Sequence, residues 1–277
     1  MIRLVLVGLL STLLYAAEGV IKLGFMPYLS AEVLTEKYSP LASYLTQELG
    51  TKVEIFISSS YAEHIEKTAR DELCIAFLGG SPYVEIVDRY GSKPLLARFE
   101  FDGEAAFRSV VFVAEESPLK TLADLKGKRF AFGSPQSTLS AQVPLHMLLQ
   151  AGIKLSDLKQ YRFLDNHENV YLGVYYDDFD AGAVAEELFT PQAMPGVRAL
   201  AYSQPYSTHV FVARANMEPH QIEAIRRALL ALKDNPRHAH VLKAISQNLS
   251  GFVPAQDSDY DRHRAMLKAV KPVLKQP

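Results

Sequence analysis

Ser137, Thr138 and Ser140 stand between the strand-like RFAFG (129–133) and an apolar helical run that begins near Val143. A helix start offers unpaired N–H groups and about half a positive charge, so hydroxyls placed there form a cup suited to an oxyanion. The plainer role is a helix cap, which needs one hydroxyl rather than three in four residues. Pro144 favours the first turn of a helix, and the regular helix is expected to run from about that point.

Further along, His167 sits in a strand-to-helix loop, where it would donate a hydrogen bond to a ligand oxygen or act as a cap. Asp180 is chemically sharper. A carboxylate facing an anion repels it unless the ligand brings a proton or an amine, so Asp180 would select protonated oxyanions or aminoalkyl groups. Its plainer role is a solvated turn beside Asp177 and Asp178. Tyr61, Tyr83 and Tyr28 each offer a phenol O–H and an apolar ring face. With 14 tyrosines in the chain, most belong to the core. Cys74 opens a strand and reads as a buried, inert thiol; the alternative is contact with a soft, arsenite-like ligand. His238 and His240 have no carboxylate or thiol partner at ligating spacing, so no metal is assigned. Ser137, His167 and Asp180 can be drawn as a hydrolytic triad, but no G-x-S-x-G elbow accompanies them, and neither an enzyme nor a cofactor is expected.

These residues need a scaffold, and the chain supplies a regular one. VIKLGF (20–25), VEIFIS (53–58), CIAFLG (74–79) and RSVVFVA (108–114) read as strands, with helical stretches of 10 to 15 residues between most of them. Tyr38, Leu41, Leu45 and Leu49 share one helical face ahead of Gly50, a C-cap, and SPYVEIVDRY reads as a helix capped by Ser81. Strands alternating with helices define an α/β protein with mainly parallel sheets, in which ligands bind beyond the carboxyl ends of the strands. The loops holding Tyr28, Tyr61, Tyr83, Ser137 and His167 fall at such ends.

Composition sets the outer limits. The 277 residues are 48% apolar and 22% charged with a formal net charge of −2, which gives no reason to expect nucleic acid or an anionic membrane surface as partner. MIR followed by LVLVGLLSTLLYAA, residues 1–17, has the form of a secretory signal peptide, so export is expected, with an uncleaved anchor as the alternative. The single Cys74 excludes an internal disulfide.

In order and spacing, Gly24 with Pro27, Tyr61, AFLGGSPY (76–83), SPLKTLADLKGKRFAFGSPQST (117–138), NHENV (166–170) and FDAGAV (179–184) resemble the periplasmic substrate-binding proteins of phosphonate/phosphite/phosphate ABC transporters. The resemblance runs over roughly residues 20–265. It implies a two-lobed type II binding protein, each lobe a mainly parallel sheet flanked by helices, with the ligand in the cleft between them. Lobe 1 would comprise 18–111 and 210–277, and lobe 2 112–209, with crossings near Val111–Ala114 and Ser207–Val212. The family's cradle is a Ser-Thr-Ser-Gly turn. Ser137 and Thr138 match its first two positions, whereas Leu139 and Ser140 replace the last two, which puts the identity of the anion in question. Tyr61 and Tyr83 match aromatic positions of one lobe, and His167 and Asp180 polar positions of the other. The implied role is a monomeric periplasmic protein that captures a small oxyanion for an ABC permease; a sensor presenting its ligand to a membrane histidine kinase is the alternative.

Overall fold

The computed structural model describes residues 19–274; the signal-like leader lies outside them. The chain runs β1 (Ile21–Phe25), α1 (Ala31–Leu49), β2 (Val53–Ile57), α2 (Tyr61–Ala69), β3 (Ile75–Leu78), α3 (Gly80–Tyr90), β4 (Leu95–Phe101), β5 (Ala106–Phe107), β6 (Ser109–Ala114), β7 (Arg129–Phe132), α4 (Val143–Gln150), β8 (Gln160–Phe163), α5 (His167–Tyr175), β9 (Ala181–Ala185), β10 (Val197–Tyr202), β11 (Tyr206–Ser207), β12 (Val210–Ala213), α6 (Pro219–Leu230), α7 (Ala239–Ile245), β13 (Leu249–Val253) and α8 (Asp261–Leu274).

Two sheets result. The first has strand order β13-β4-β12-β3-β1-β2 and the second β10-β6-β9-β7-β8. The chain passes between them twice, through β5 and β11, which pair antiparallel with each other. Because β6 lies wholly in the second sheet from Ser109 onward, the first passage falls a few residues earlier than the Val111–Ala114 expected from the sequence.

The sheets are mixed rather than mainly parallel. Among the described residues the pairs β1/β2, β1/β3, β7/β8 and β7/β9 are parallel. Within the two large sheets the other five pairs are antiparallel. Helical crossovers join β1 to β2, β2 to β3 and β8 to β9, and such crossovers produce parallel strands. β6 and β12 instead enter straight from the passages between sheets, from the edge where their neighbours end, and so run antiparallel to β9 and to β3.

Local expectations hold where the physics is local. Gly50 ends α1 with φ 66°, a left-handed conformation that favours glycine. α1 begins at Ala31, earlier than the EKYSP stretch suggests, and carries Pro40 in its interior. Proline there removes a helix N–H. The buried row Leu34, Tyr38, Leu41 and Leu45 keeps the helix on its sheet through that gap. α3 starts at Gly80 with Gly79 as its cap, so Ser81 is not the cap; its Oγ is buried without a hydrogen-bond partner. One continuous apolar core, including Leu78, Tyr83, Val111, Phe132, Tyr260 and Val270, reaches from one sheet to the other beneath α3, α4 and α8. It fixes where the facing edges of the sheets meet.

Candidate functional site

The carboxyl ends of β7, β8 and β9 bring Gly133–Ser134, Asn166–His167 and Glu186–Glu187 to one edge of the second sheet. Tyr28, Ser58–Tyr61 and Gly79–Ser81 occupy the corresponding edge of the first sheet, joined by His209 at the start of the antiparallel β12. The two edges touch. The backbone N–H of Ser81 donates to Thr138 Oγ1 at 3.0 Å. The N–H of His167 donates to the Tyr28 carbonyl at 3.1 Å. The N–H of Ser30 donates to Glu168 Oε2 at 2.9 Å.

The hydroxyl cup forms at the start of a helix, with an unanticipated local geometry. Thr138–Gln142 is a single π-type turn, and the regular α4 follows from Val143 with Pro144 in its first turn. Such one-turn π segments are frequent at functional sites. The Ser137 side chain is the cap, accepting the N–H of Ser140 at 3.3 Å. Its hydroxyl also interacts with the buried Tyr61 phenol from α2, which burial keeps protonated. Thr138 accepts from Ser81, and that leaves its own O–H proton free to donate. Ser140 differs: it is fully buried, and its hydroxyl donates to the Ala183 carbonyl at 2.6 Å, tying the turn to β9. It supports the cup from below. A Cβ on Gly133 would lie 2.6 Å from that Ser140 Oγ, so glycine at the end of RFAFG is what lets the turn fold back onto the strand.

His167 is the first residue of α5, with Asn166 capping ahead of it. Its Nδ1 accepts the N–H of Ala185 at 3.3 Å, which leaves the proton on Nε2. Burial lowers its pKa to about 4, so the ring is a neutral donor at pH 7. Tyr28 stands edge-on to it, with ring centroids 6.2 Å apart, and its hydroxyl bonds Tyr38 at 2.9 Å. The structure therefore brings Tyr28, Tyr61, Ser137, Thr138 and His167 together across the two edges.

Two predicted residues lie elsewhere. Tyr83 faces away from this meeting point: its hydroxyl donates to Asp257 Oδ1 at 2.8 Å and its ring packs on Tyr260 at 4.6 Å. Asp180 precedes β9, whereas the cup lies at that strand's far end, a strand length of roughly 17 Å away. Its carboxylate is held by Arg129 at the start of β7, accepting the backbone N–H at 2.7 Å and the guanidinium at 2.8 Å. The hydrogen bond from the Arg129 side chain is the main cause of its lowered pKa. A Ser137–His167–Asp180 triad therefore does not assemble. Asp180→Ala is expected to cost about 1 kcal/mol of stability, a partly exposed pair being screened by water, with oxyanion affinity unchanged. That cost should vanish as pH falls through the depressed pKa, because only the ionised carboxylate is stabilised in the fold. Denaturant melts at neutral and acidic pH, with a titration beside them, check this; a tenfold loss of affinity would return Asp180 to the cleft.

Residues that the sequence does not single out lie next to these, around Tyr28. Glu187 and Leu188 line, with Tyr28, Lys37, Tyr38 and His209 of the first-sheet side, a small pocket of about 10 Å³. The pKa of Glu187 is raised to about 7 by burial, against the pull of Lys37. Burial lowers His209 to about 3. Glu187 was within reach of sequence reasoning, since it lies at the carboxyl end of the FDAGAVA strand and Asp180 at its amino end. Cys74 sits at the amino end of β3, away from this edge, with Sγ 3.9 Å from the Val20 carbonyl. Among the described residues no group of three or more His, Cys, Asp or Glu side chains is placed to hold a metal, and no helix is long and apolar enough to cross a membrane.

Two mixed sheets flanked by helices, crossed twice and meeting at their carboxyl edges, define a type II periplasmic binding protein. The chain belongs to the family of periplasmic substrate-binding proteins of phosphonate ABC transporters, whose model matches residues 23–260. It is similar to a probable ABC transporter phosphite binding protein, PhnD1, of Prochlorococcus marinus (strain MIT 9301), with 22% identity over 92% of this chain and 91% of that one. The phosphate-import protein PhnD of Mycolicibacterium smegmatis is 26% identical over 88% of this chain and 85% of its own. The solved structure of the Prochlorococcus PhnD1 in complex with methylphosphonate superposes with a TM-score of 0.83 over 91% of this chain and 98% of that one, at 22% identity.

Proposed function

We propose that this protein captures a small phosphorus oxyanion (a phosphonate, phosphite or phosphate) in the cleft between its sheets and delivers it in the periplasm to the permease of an ABC transporter. The observation that carries the reading is the set of neutral hydrogen-bond donors at the facing edges of the two sheets: Thr138 and Ser137 from the π turn, His167 Nε2 from α5 and the Tyr61 phenol from α2. Donors held in a water-poor cleft bind an oxyanion through charge-assisted hydrogen bonds of about 1.5–3 kcal/mol each. Three or four of them reach micromolar affinity after ordering costs. The lobes of this trap are the two sheets with their helices. A ligand that touches both edges stabilises their contact, and differential binding of that kind is what shifts a population toward closure. The names of the similar proteins, which specify phosphite, phosphate and methylphosphonate, support the same ligand class.

Thermal melting of the mature chain with methylphosphonate, phosphite, phosphate and sulfate tests the proposal. A ligand at one hundred times its dissociation constant adds about 2.7 kcal/mol to the native state. For a chain of this size that is a rise of several degrees. A phosphorus oxyanion is expected to produce it; no shift with any of the three overturns the proposal.

A further inference from the structure

Among the described residues, six side-chain atoms are buried without a hydrogen-bond partner, and four of them belong to elements that pack on one another: Ser81 Oγ on α3, Gln142 Oε1 on the π turn and both ring nitrogens of His263 on α8. All three residues are buried, His263 completely. Burial lowers the pKa of His263 to about 3, so at pH 7 its neutral ring has one donor and one acceptor to satisfy. Gln142 commits its Nε2 to the Pro135 carbonyl at 3.0 Å, which leaves its Oε1 unmet. Native folds meet nearly all of their buried polar groups, so three such residues at one junction call for a second arrangement in which water reaches them.

The junction lies where the two sheets come together. A Cβ on Gly79 would lie 3.0 Å from Thr138 Oγ1, and one on Gly80 2.1 Å from His263 Nε2, so the two glycines let α3 start hard against both neighbours. From the next residue, the Ser81 N–H reaches across the gap between sheets to Thr138 Oγ1. His263 packs in turn on Tyr206 of β11, one of the two passages between sheets, with ring centroids 5.1 Å apart. Helix α8 itself lies on α3 from one side of the cleft and on α4 and the π turn from the other. A rotation that parts the sheet edges must break the Ser81–Thr138 bond and slide α8 against α3 or α4. Either movement loosens the packing around Ser81 and His263 and admits solvent.

We propose that Ser81, Gln142 and His263 hold the ligand-free protein open: contact between the sheets leaves their polar atoms unmet, separation hydrates them, and a bound ligand supplies the contacts that overcome the difference. This rests on the oxyanion reading of the cleft and adds what sets its affinity. Only the closed form touches a ligand from both sides, so the apparent affinity is the intrinsic one scaled by the fraction of empty protein that is already closed. The three side-chain groups act on that fraction and not on the ligand, which makes them positioning residues. The same cost eases release once the edges part.

Ser81→Ala combined with His263→Leu removes three of the four unmet atoms and keeps the Ser81 N–H. Small-angle scattering of the ligand-free proteins and calorimetric titration of the mature chains with methylphosphonate test the proposal. Without ligand, the double variant is expected to be more compact than wild type and to approach the dimensions of the ligand-saturated wild-type protein. It is also expected to bind at least about fivefold tighter, a gain that loss of a merely structural contact would not produce. His263→Asn keeps a polar group at the junction and is expected to stay within about twofold of wild-type affinity. Ligand-free dimensions like those of wild type, or affinity no better than wild type, in the double variant overturn the proposal. Equal tightening by His263→Asn also overturns it, because shape rather than polarity would then be the cause. Should methylphosphonate, phosphite and phosphate all fail to bind, the cleft reading falls, and the ligand-free scattering still decides whether these groups hold the sheets apart. Ser81→Ala alone deletes one atom and serves if the double variant does not fold; it is expected to bind about twofold tighter, and unchanged affinity counts against the proposal.

Discussion

Replacing Ser137 and Thr138 together by alanine is expected to weaken phosphorus-oxyanion binding by two to three orders of magnitude. Each hydroxyl has two tasks. Ser137 caps the π turn through the Ser140 N–H and meets the Tyr61 phenol across the cleft. Thr138 receives the Ser81 N–H from α3, which orients its remaining proton inward. A hydrogen bond to a charged group contributes about 1.5–3 kcal/mol, so losing two gives roughly 3–5 kcal/mol when some is recovered by relaxation. The structural cost is smaller. One lost cap and one stranded N–H amount to about 2 kcal/mol, enough to lower the melting temperature by several degrees without unfolding the chain. Titration with methylphosphonate at 15–20 °C below each variant's own midpoint separates the effects. Affinity within threefold of wild type in the double variant would mean the anion sits elsewhere.

The second large effect concerns the floor of the same site. A Cβ on Gly80 would lie 2.1 Å from His263 Nε2, with two further ring carbons at 2.4 and 2.6 Å. His263 is fully buried on α8 between Tyr206 and Tyr260, and neither of its ring nitrogens has a hydrogen-bond partner. Gly80→Ala must therefore displace either α3 or the imidazole, and overpacking of this kind costs about 3 kcal/mol. Removing the ring makes room, so Gly80→Ala combined with His263→Ala should be markedly less unstable than the sum of the single changes. Urea melts of the four proteins give that coupling, expected at 1–3 kcal/mol. Because α3 also carries the Ser81 N–H that holds Thr138, Gly80→Ala should weaken ligand binding as well. Additive stabilities within about 0.5 kcal/mol would refute the clash.

Much of this was legible because it is local. The alternation of strands and helices, the glycine after α1 and the hydroxyl cap at Ser137 each follow from a few neighbouring residues, and the structure keeps them. Strand direction depends on which strands become neighbours, and the antiparallel entry of β6 and β12 has no signature within either strand. Asp180 stands out in the sequence only through the family resemblance, beside Asp177 and Asp178. The end of β9 on which it falls, and the Arg129 that claims it, are tertiary facts. Tyr83 was indistinguishable by type from Tyr61, yet one helix turns its phenol toward Asp257 and the other toward Ser137. The π turn at Thr138–Gln142 is set by Ser140 reaching Ala183 on β9, forty-three residues away in sequence. Glu187 differs from these, since the rule that ligands gather at carboxyl strand ends pointed to its position and only its burial was hidden.

The strand order of the first sheet also governs when the molecule can come into being. β12 lies between β3 and β4, so those two earlier strands have no hydrogen-bonding partner on their facing sides until residues 210–213 have arrived. The second sheet, by contrast, is drawn from the single span 109–202. A chain that emerges amino end first can assemble the second sheet as a unit while β3 and β4 still wait, with apolar edges open, for the carboxyl third of the molecule. Completion of the first sheet is therefore a late event set by chain topology, and the half-made protein has the greatest need of protection from aggregation.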